Sequence, residues 1–372
     1  MDGSRIRTTG CLVLLGALTA FATPGRAYAL VDPVNSEWHS TARALAMGNA
    51  GIATAEDPDT AMFYNPAALA SNRRFEFSVF NPQFEFSTSN FTLGGAKDMT
   101  DLGSLDTTVP HLRENRGTPA QFGFSLYPNV SAKNFALGIL VSAESGSVMK
   151  KNGDLIIRSQ YLIIPTIGLT VGMLSGIIKI GAALRIINLT TNNKVVPVAQ
   201  QGVQGYRRDA EEGFGLGVDV GTLIQLPWAS LPTFGAVARN IGDTSLSKGA
   251  FYPYATGTAV GANRVPMMID GAFAIQPKLG QTTVLKFAME FRDTQDKSHV
   301  ATARKVNVGF ELGFNKRLFL RMGGSQGYWS AGFGLSGKSA SLDITTYGEE
   351  LDPTKFQEIE DRRVAISYGG RF

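Results

Sequence analysis

Tyr161-Leu162-Ile163-Ile164-Pro165-Thr166-Ile167-Gly168-Leu169-Thr170-Val171-Gly172-Met173-Leu174-Ser175-Gly176-Ile177-Ile178 is an uncharged run as long as a minimal membrane helix. Its parity argues against one. Ile163, Ile167, Leu169, Val171 and Met173 fall on odd positions, whereas even positions from Thr166 to Gly172 alternate Thr with Gly, and Arg158 and Gln160 extend that even side upstream. A period of two marks a strand, and the glycines and proline oppose a helix.

The same alternation recurs towards the C-terminus. Phe214, Leu216, Val218 and Val220 oppose Gly215, Gly217 and Asp219. Leu285, Phe287, Met289 and Phe291 oppose Lys286, Glu290 and Arg292. Val306, Val308, Phe310 and Leu312 oppose Asn307 and Glu311. In lipid the apolar side turns outward and the polar side lines the interior. About fourteen such segments are expected, at 75–93, 119–128, 135–146, 155–172, 177–189, 213–226, 232–241, 266–276, 282–292, 304–314, 317–324, 328–336, 339–347 and 362–372. In the first, parity switches near Asn81-Pro82, which predicts a bulge or two shorter strands. Long connections (94–118, 147–154, 190–212, 242–265, 293–303, 348–361) alternate with short ones, and only 325–327 breaks that rhythm. The fold expected is all-β: a transmembrane antiparallel β-barrel of about fourteen strands with both termini periplasmic.

The ends fit an exported chain. Arg5 and Arg7, the apolar stretch Cys11–Phe21 and the small-residue site Ala27-Tyr28-Ala29 read as a signal peptide over 1–29. Cys11 is the only cysteine, so no disulfide is expected in the mature chain. Removing 1–29 takes three of the 35 basic and one of the 31 acidic residues, leaving a net charge of about +2, too balanced to suggest nucleic acid. The last segment places Val364, Ile366, Tyr368, Gly370 and Phe372 on one face, a C-terminal aromatic pattern similar to the one by which the barrel-assembly machinery takes up outer-membrane barrels.

Ahead of the strands lies a small-residue segment. Arg43-Ala44-Leu45, Met47-Gly48-Asn49-Ala50, Gly51, Glu56-Asp57-Pro58-Asp59 and Tyr64-Asn65-Pro66-Ala67 belong to a stretch from Ser40 that favours a short helix capped by Ser40 or Thr41. A turn follows at Asp57-Pro58, and Asn65 is biased to extended geometry by Pro66. A fourteen-strand barrel is too wide for its own side chains to fill. Residues 30–74 are therefore read as a hatch, or plug, with short helices, inside a barrel of residues 75–372.

These motifs resemble the N-terminal hatch of FadL-type long-chain fatty acid transporters, especially their PorV-like relatives. Gly217-Val218-Asp219-Val220-Gly221, Arg239-Asn240-Ile241-Gly242, Gly309-Phe310-Glu311-Leu312 and Arg321-Met322-Gly323-Gly324 extend the resemblance over most of the chain. Ala68 stands where a Gly often follows the Asn-Pro-Ala tripeptide, and Asn49 where a second Gly often stands. The resemblance implies a bacterial outer-membrane channel for hydrophobic small molecules such as long-chain fatty acids. Cargo would pass from loops to an apolar pocket above the hatch, and Gly48, Gly51, Asn65, Pro66 and Ala67 would gate it. The alternative it implies is a PorV-like surface component that binds or shuttles secreted proteins.

Parity sends Arg158, Arg185, Asp219, Arg239, Glu290, Glu311 and Arg321 to the lumen, with Lys179, Asp270, Lys286, Arg292, Lys305, Asp343, Arg363 and Arg371. Mixed signs at this density favour ion pairs bracing wall and hatch over a carboxylate receptor, though a bidentate arginine suits a fatty acid. Gly213, Gly215, Gly217 and Gly221 are expected to leave room for a path. Val109-Pro110, Val195-Val196-Pro197-Val198 and Phe251-Tyr252-Pro253-Tyr254 read equally as a docking groove or as self-packed loops. His39, His111 and His299 lie far apart, with no metal-ligand spacing and no nucleophile elbow, so no catalytic residue, metal or cofactor is expected.

Overall fold

The computed structural model describes residues 37–72, 74–90, 105–197, 211–248, 263–351 and 356–370. The expected signal peptide, the Phe251–Tyr254 run, Arg371 and Phe372 lie outside them. Fourteen antiparallel strands close into a barrel. They are β1 (Glu76–Ser78 and Pro82–Ser87), β2 (Pro119–Leu126 and Asn129–Ala132), β3 (Phe135–Met149), β4 (Leu155–Met173), β5 (Ile178–Val196), β6 (Glu211–Gln225) and β7 (Thr233–Arg239 and Thr244–Lys248). There follow β8 (Asn263–Val265 and Met268–Ile275), β9 (Thr283–Phe291), β10 (Val306–Phe314), β11 (Leu318–Ser325), β12 (Tyr328–Ser336), β13 (Ala340–Glu350) and β14 (Glu360–Gly370). Each strand pairs with the next, and β14 returns to β1 in the register Arg363↔Ser87 to Ser367↔Gln83.

The alternation does what lipid requires. Leu169, Leu216 and Met322 point outward, 59%, 60% and 62% exposed, while Arg185, Glu311 and Arg292 point inward at 1%, 1% and 0%. Trp228 and Trp329 are exposed near opposite ends of the barrel, where indoles suit the water–lipid boundary. The run 161–178 is the lower part of β4 and the turn into β5.

Strand breaks are repaired by side chains. Pro82 and Pro128 cannot donate to a ladder, and between them the Asn81 amide donates to the Tyr127 carbonyl (2.6 Å) and accepts from the Tyr127 N–H (2.9 Å). At the break in β7 the Asn240 N–H donates to Asp219 (2.9 Å), and at the break in β8 the Met267 N–H donates to Asp243 (2.6 Å). The break expected near Asn81-Pro82 is present. Several expected connections are shorter than predicted: 129–132, 190–196 and 244–248 are strand. The expected loop 94–118 contains helix α3 (Leu105–Glu114).

The N-terminal segment fills the lumen. Helix α1 (Ala42–Ala46) is capped by Thr41, whose hydroxyl accepts from the Ala44 N–H (3.3 Å). Asp57-Pro58 opens helix α2 (Pro58–Tyr64) instead of forming a separate turn, because a proline at the first helical position gives up no hydrogen bond. Asn65 is extended (φ −154°, ψ 105°) and leads into a 3-10 turn over Pro66–Ser71. The main core forms where this plug meets the wall: Met62, Phe63, Tyr64 and Leu69 pack on Tyr127, Leu162, Ile164 and Ile187.

Wall glycines mark the plug's path. A Cβ at Gly181 would run into the Pro66 carbonyl, and one at Gly221 into Asn65. Gly309 and Gly323 face Met47 and Gly48, and Gly168 faces Met62 and Leu69. The room expected beside Gly213, Gly215, Gly217 and Gly221 is therefore occupied: Leu246 and Ser245 cover the first two, Ile187 and Thr244 the third, and the plug the fourth. Gly181→Val should displace the plug without opening the barrel. Hydrogen exchange of peptide 58–71 should rise about tenfold or more, given overpacking costs of ~1–3 kcal/mol. Gly271→Val, at a position with open space around its Cβ, should leave exchange unchanged.

Candidate functional site

Helix α2 ends inside the barrel, where the carbonyls of its last turn have no helical partner. The wall supplies the donors. Arg185 donates to the Met62 carbonyl (2.5 Å), and Arg239 to those of Phe63 (2.5 Å) and Tyr64 (3.2 Å). Cations are favoured at this end of a helix on dipole grounds as well. Each arginine also holds a wall carboxylate, Arg185 with Asp219 (2.5 Å) and Arg239 with Asp270 (2.7 Å). Asn65 completes the junction: its amide donates to the carbonyls of Ile52 (3.2 Å) and Thr222 (3.1 Å), and its oxygen accepts from the Ala67 N–H (3.0 Å).

A second cluster grips the start of the plug. Arg292 pairs with Glu37 and with Glu290 (3.1 Å) and donates to the Asn49 carbonyl (2.6 Å). Glu290 accepts from the Ile52 N–H (2.5 Å). Burial alone would raise the Glu37 carboxyl, but the Arg292 and Arg239 guanidiniums bring it below its usual range, so it stays ionised. Gly48 and Asn49 both take positive φ (61° and 60°), a region asparagine tolerates better than most residues, so the backbone path survives the Gly-to-Asn departure. Asn49 also uses its side chain, donating to Glu37 (2.5 Å) and accepting from the Tyr64 hydroxyl.

The third cluster centres on Glu311, which binds Arg43 (3.2 Å), Lys286 (3.1 Å) and Arg321 (2.6 Å). Glu56 joins Lys286 (2.6 Å) and Arg43 (3.2 Å), while Asp343 holds Arg321 (2.5 Å).

Gly48, Gly51, Asn65, Pro66 and Ala67 are thus all buried in the plug. Arg185, Asp219, Arg239, Glu290, Glu311 and Arg321 belong to these clusters. Arg158 stands apart, donating across the barrel to the Leu351 carbonyl (3.1 Å). Sequence reasoning passed over Glu37, which has no local signal, and Gln83, which accepts from the Ala42 N–H (2.8 Å) and donates to the Ser40 carbonyl (2.8 Å). It also missed Glu85, Glu144 and Glu349. Glu144 was legible, since it lies opposite the outward Leu137, Ile139 and Val141. These acids line a cavity of about 160 Å³ beside the plug, polar where the resemblance implies an apolar pocket. Val109 is buried in a cluster with Leu112, Met149 and Ile157, and Val196 packs against it, whereas Val195 is 41% exposed.

No family model matches the sequence, and no curated protein matches it significantly. Solved structures do share its fold. A CymD monoaromatic hydrocarbon channel is 12% identical with a TM-score of 0.53, over 92% of this chain and 97% of the other. A deltaS2S3 mutant of the TodX monoaromatic hydrocarbon channel is 11% identical with a TM-score of 0.55, over 91% and 100%.

Two predictions follow from the clusters. Arg239→Met leaves Asp270 buried without its cation and two α2 carbonyls unpaired, and should destabilise the docked plug by about 3–5 kcal/mol, read as faster hydrogen exchange of 58–71 relative to the strands. Asp270→Asn in the same chain should recover part of the loss. The second concerns His39, whose ring stands edge-on to Phe63 (5.4 Å, 78°). Burial holds this imidazole down at about 4, whereas a released one protonates near ~6.5. Docking should therefore weaken as pH falls from ~6.5 towards 4, because the undocked plug binds the extra proton. The ratio of plug to strand exchange should rise over that window, and His39→Gln should abolish the rise.

Proposed function

We propose that this chain is a bacterial outer-membrane channel for hydrophobic small molecules, gated by residues 37–72 acting as a hatch. The observation that carries the reading is a closed fourteen-strand barrel whose lumen is filled by an N-terminal segment. This fold is shared with monoaromatic hydrocarbon channels over more than nine-tenths of both chains. In this reading both termini are periplasmic, and Phe372 is the recognition end for the barrel-assembly machinery.

Within the cargo class, the wall favours neutral molecules over long-chain fatty acids. Arg185, Arg239, Arg292, Arg321 and Arg363 are each already held by carboxylates, so a fatty-acid headgroup would have to displace an ion pair. The secretion-shuttle alternative would use the loops 190–212 and 242–265, of which 198–210 and 249–262 lie outside the described residues.

A locked hatch tests the proposal. A Cβ built at Gly172 lies 3.9 Å from that of Ala70, within the span of a disulfide. The double variant Ala70→Cys/Gly172→Cys should form a bond that ties the end of the plug to β4. Vesicles carrying the reduced protein should take up toluene faster than vesicles carrying the oxidised protein, with oleate slower than toluene. Equal uptake in both redox states would sink hatch gating, and no uptake above empty vesicles would sink the channel reading. Co-purification of a secreted protein would turn attention to the alternative.

A further inference from the structure

Two polar cavities lie end to end between the plug and the wall formed by β13, β14 and β1. The upper one, about 160 Å³, reaches the β11–β12 hairpin at Ser325 and Tyr328 and is bordered by Gln160 and Arg363. The lower one, about 50 Å³, reaches the end of the barrel where β1 begins and β14 ends, at Ser78, Ser341 and Gly369. Each has room for several waters at ~10–15 Å³ apiece. His39 borders both.

The partition between them is one row of wall residues thick. Gln83, Ser367 and Asp343 stand side by side on β1, β14 and β13, and all three line the lower cavity. Arg363 and Tyr347, four residues away on β14 and β13, line the upper one. The inward row between, Glu85, Ala365 and Thr345, is about 7 Å from each at ~3.4 Å per residue. The plug closes on that row. Ala42 and Leu45 pack with Ala365 and Tyr347 in an apolar cluster of their own, in which Ala42 and Ala365 are fully buried. Two wall side chains bolt the plug main chain in place there. The Thr345 hydroxyl donates to the Ala42 carbonyl (2.8 Å), while Gln83 accepts from the Ala42 N–H (2.8 Å) and donates to the Ser40 carbonyl (2.8 Å). A short apolar constriction between two polar spaces stops ions by excluding water.

We infer that the two cavities are halves of one aqueous path for small inorganic ions, and that the septum of His39, Ala42, Leu45, Tyr347 and Ala365 is its closed gate. Polar walls make this path distinct from the passage of hydrophobic cargo proposed above. Ionic current tests it without reference to cargo uptake, so its failure would leave that reading standing.

The test is conductance of the purified barrel in planar bilayers bathed in potassium chloride. The unaltered protein should stay near the closed baseline, and His39→Ala/Leu45→Ser, which shortens and wets the septum, should raise the conductance at least about tenfold. Gln83→Ala/Thr345→Ala, which frees Ser40 and Ala42 from the wall, should raise it as well. Heat-dependent gel mobility checks that each variant is a folded barrel, and the wall variant decides the matter if the first does not fold. Adding Gln160→Cys in the upper cavity, or Ser367→Cys in the lower, to an opened variant should let a methanethiosulfonate ammonium reagent block most of the current. The opened variant without the added cysteine should be unaffected by the reagent. Conductance in the folded septum variants no higher than in the unaltered protein, or a raised current that the reagent leaves unchanged at either cysteine, would overturn the inference.

Discussion

In hydrocarbon a backbone N–H or C=O without a partner costs several kcal/mol, and no water is at hand to supply one. That penalty joins Pro82–Ser87 to β14 and turns a meander into a ring. It also explains the repairs at the breaks. Where Pro82, Pro128 or an irregular turn removes a ladder bond, Asn81, Asp219 or Asp243 supplies the missing group.

Closure then sets the polarity of everything inside. With apolar side chains turned to lipid, the alternate positions of every strand must be polar or small, and the lumen becomes the place where charge accumulates. Charges in such a space are tolerated only when paired. Arg185 with Asp219, Arg239 with Asp270 and Glu311 with three cations are that pairing. Glycine fills the remaining inward positions where the plug main chain passes too close for a Cβ, at Gly181, Gly221, Gly309 and Gly323.

The period of two made the barrel legible from sequence, because each strand repeats the same lipid-driven rule within itself. Parity also placed Arg185, Arg239, Glu290 and Glu311 in the lumen without any knowledge of their partners. What stayed hidden depends on contacts between distant parts of the chain. Nothing near Glu37 announces that Arg292 will meet it. Nothing near Gly213 or Gly215 distinguishes a glycine that leaves space from one covered by Leu246. The lengths of β5 and β7 beyond their apolar cores were likewise invisible, since near the mouth the ladder runs on with polar residues such as Thr190 and Ser247.

The three clusters hold the plug in two different ways, and the difference bears on the proposed gating. Residues 58–71 are held by neutral groups: Arg185 and Arg239 reach carbonyl oxygens of α2, while their charges are already balanced by Asp219 and Asp270 on the wall. Undocking this half leaves the Arg185–Asp219 and Arg239–Asp270 pairs of the wall intact and costs hydrogen bonds to charged donors, about 1.5–3 kcal/mol each. Residues 37–57 contribute charges of their own, Glu37 to Arg292, Arg43 to Glu311 and Glu56 to Lys286. Removing Glu37 and Arg43 would strand Arg292 and Glu311 in a poorly solvated lumen, a cost of about 3–5 kcal/mol for each broken buried pair, while Glu56, its side chain 46% exposed, adds less. Gating therefore requires less work if the α2 to Ser71 half moves while the 37–57 half stays as its anchor.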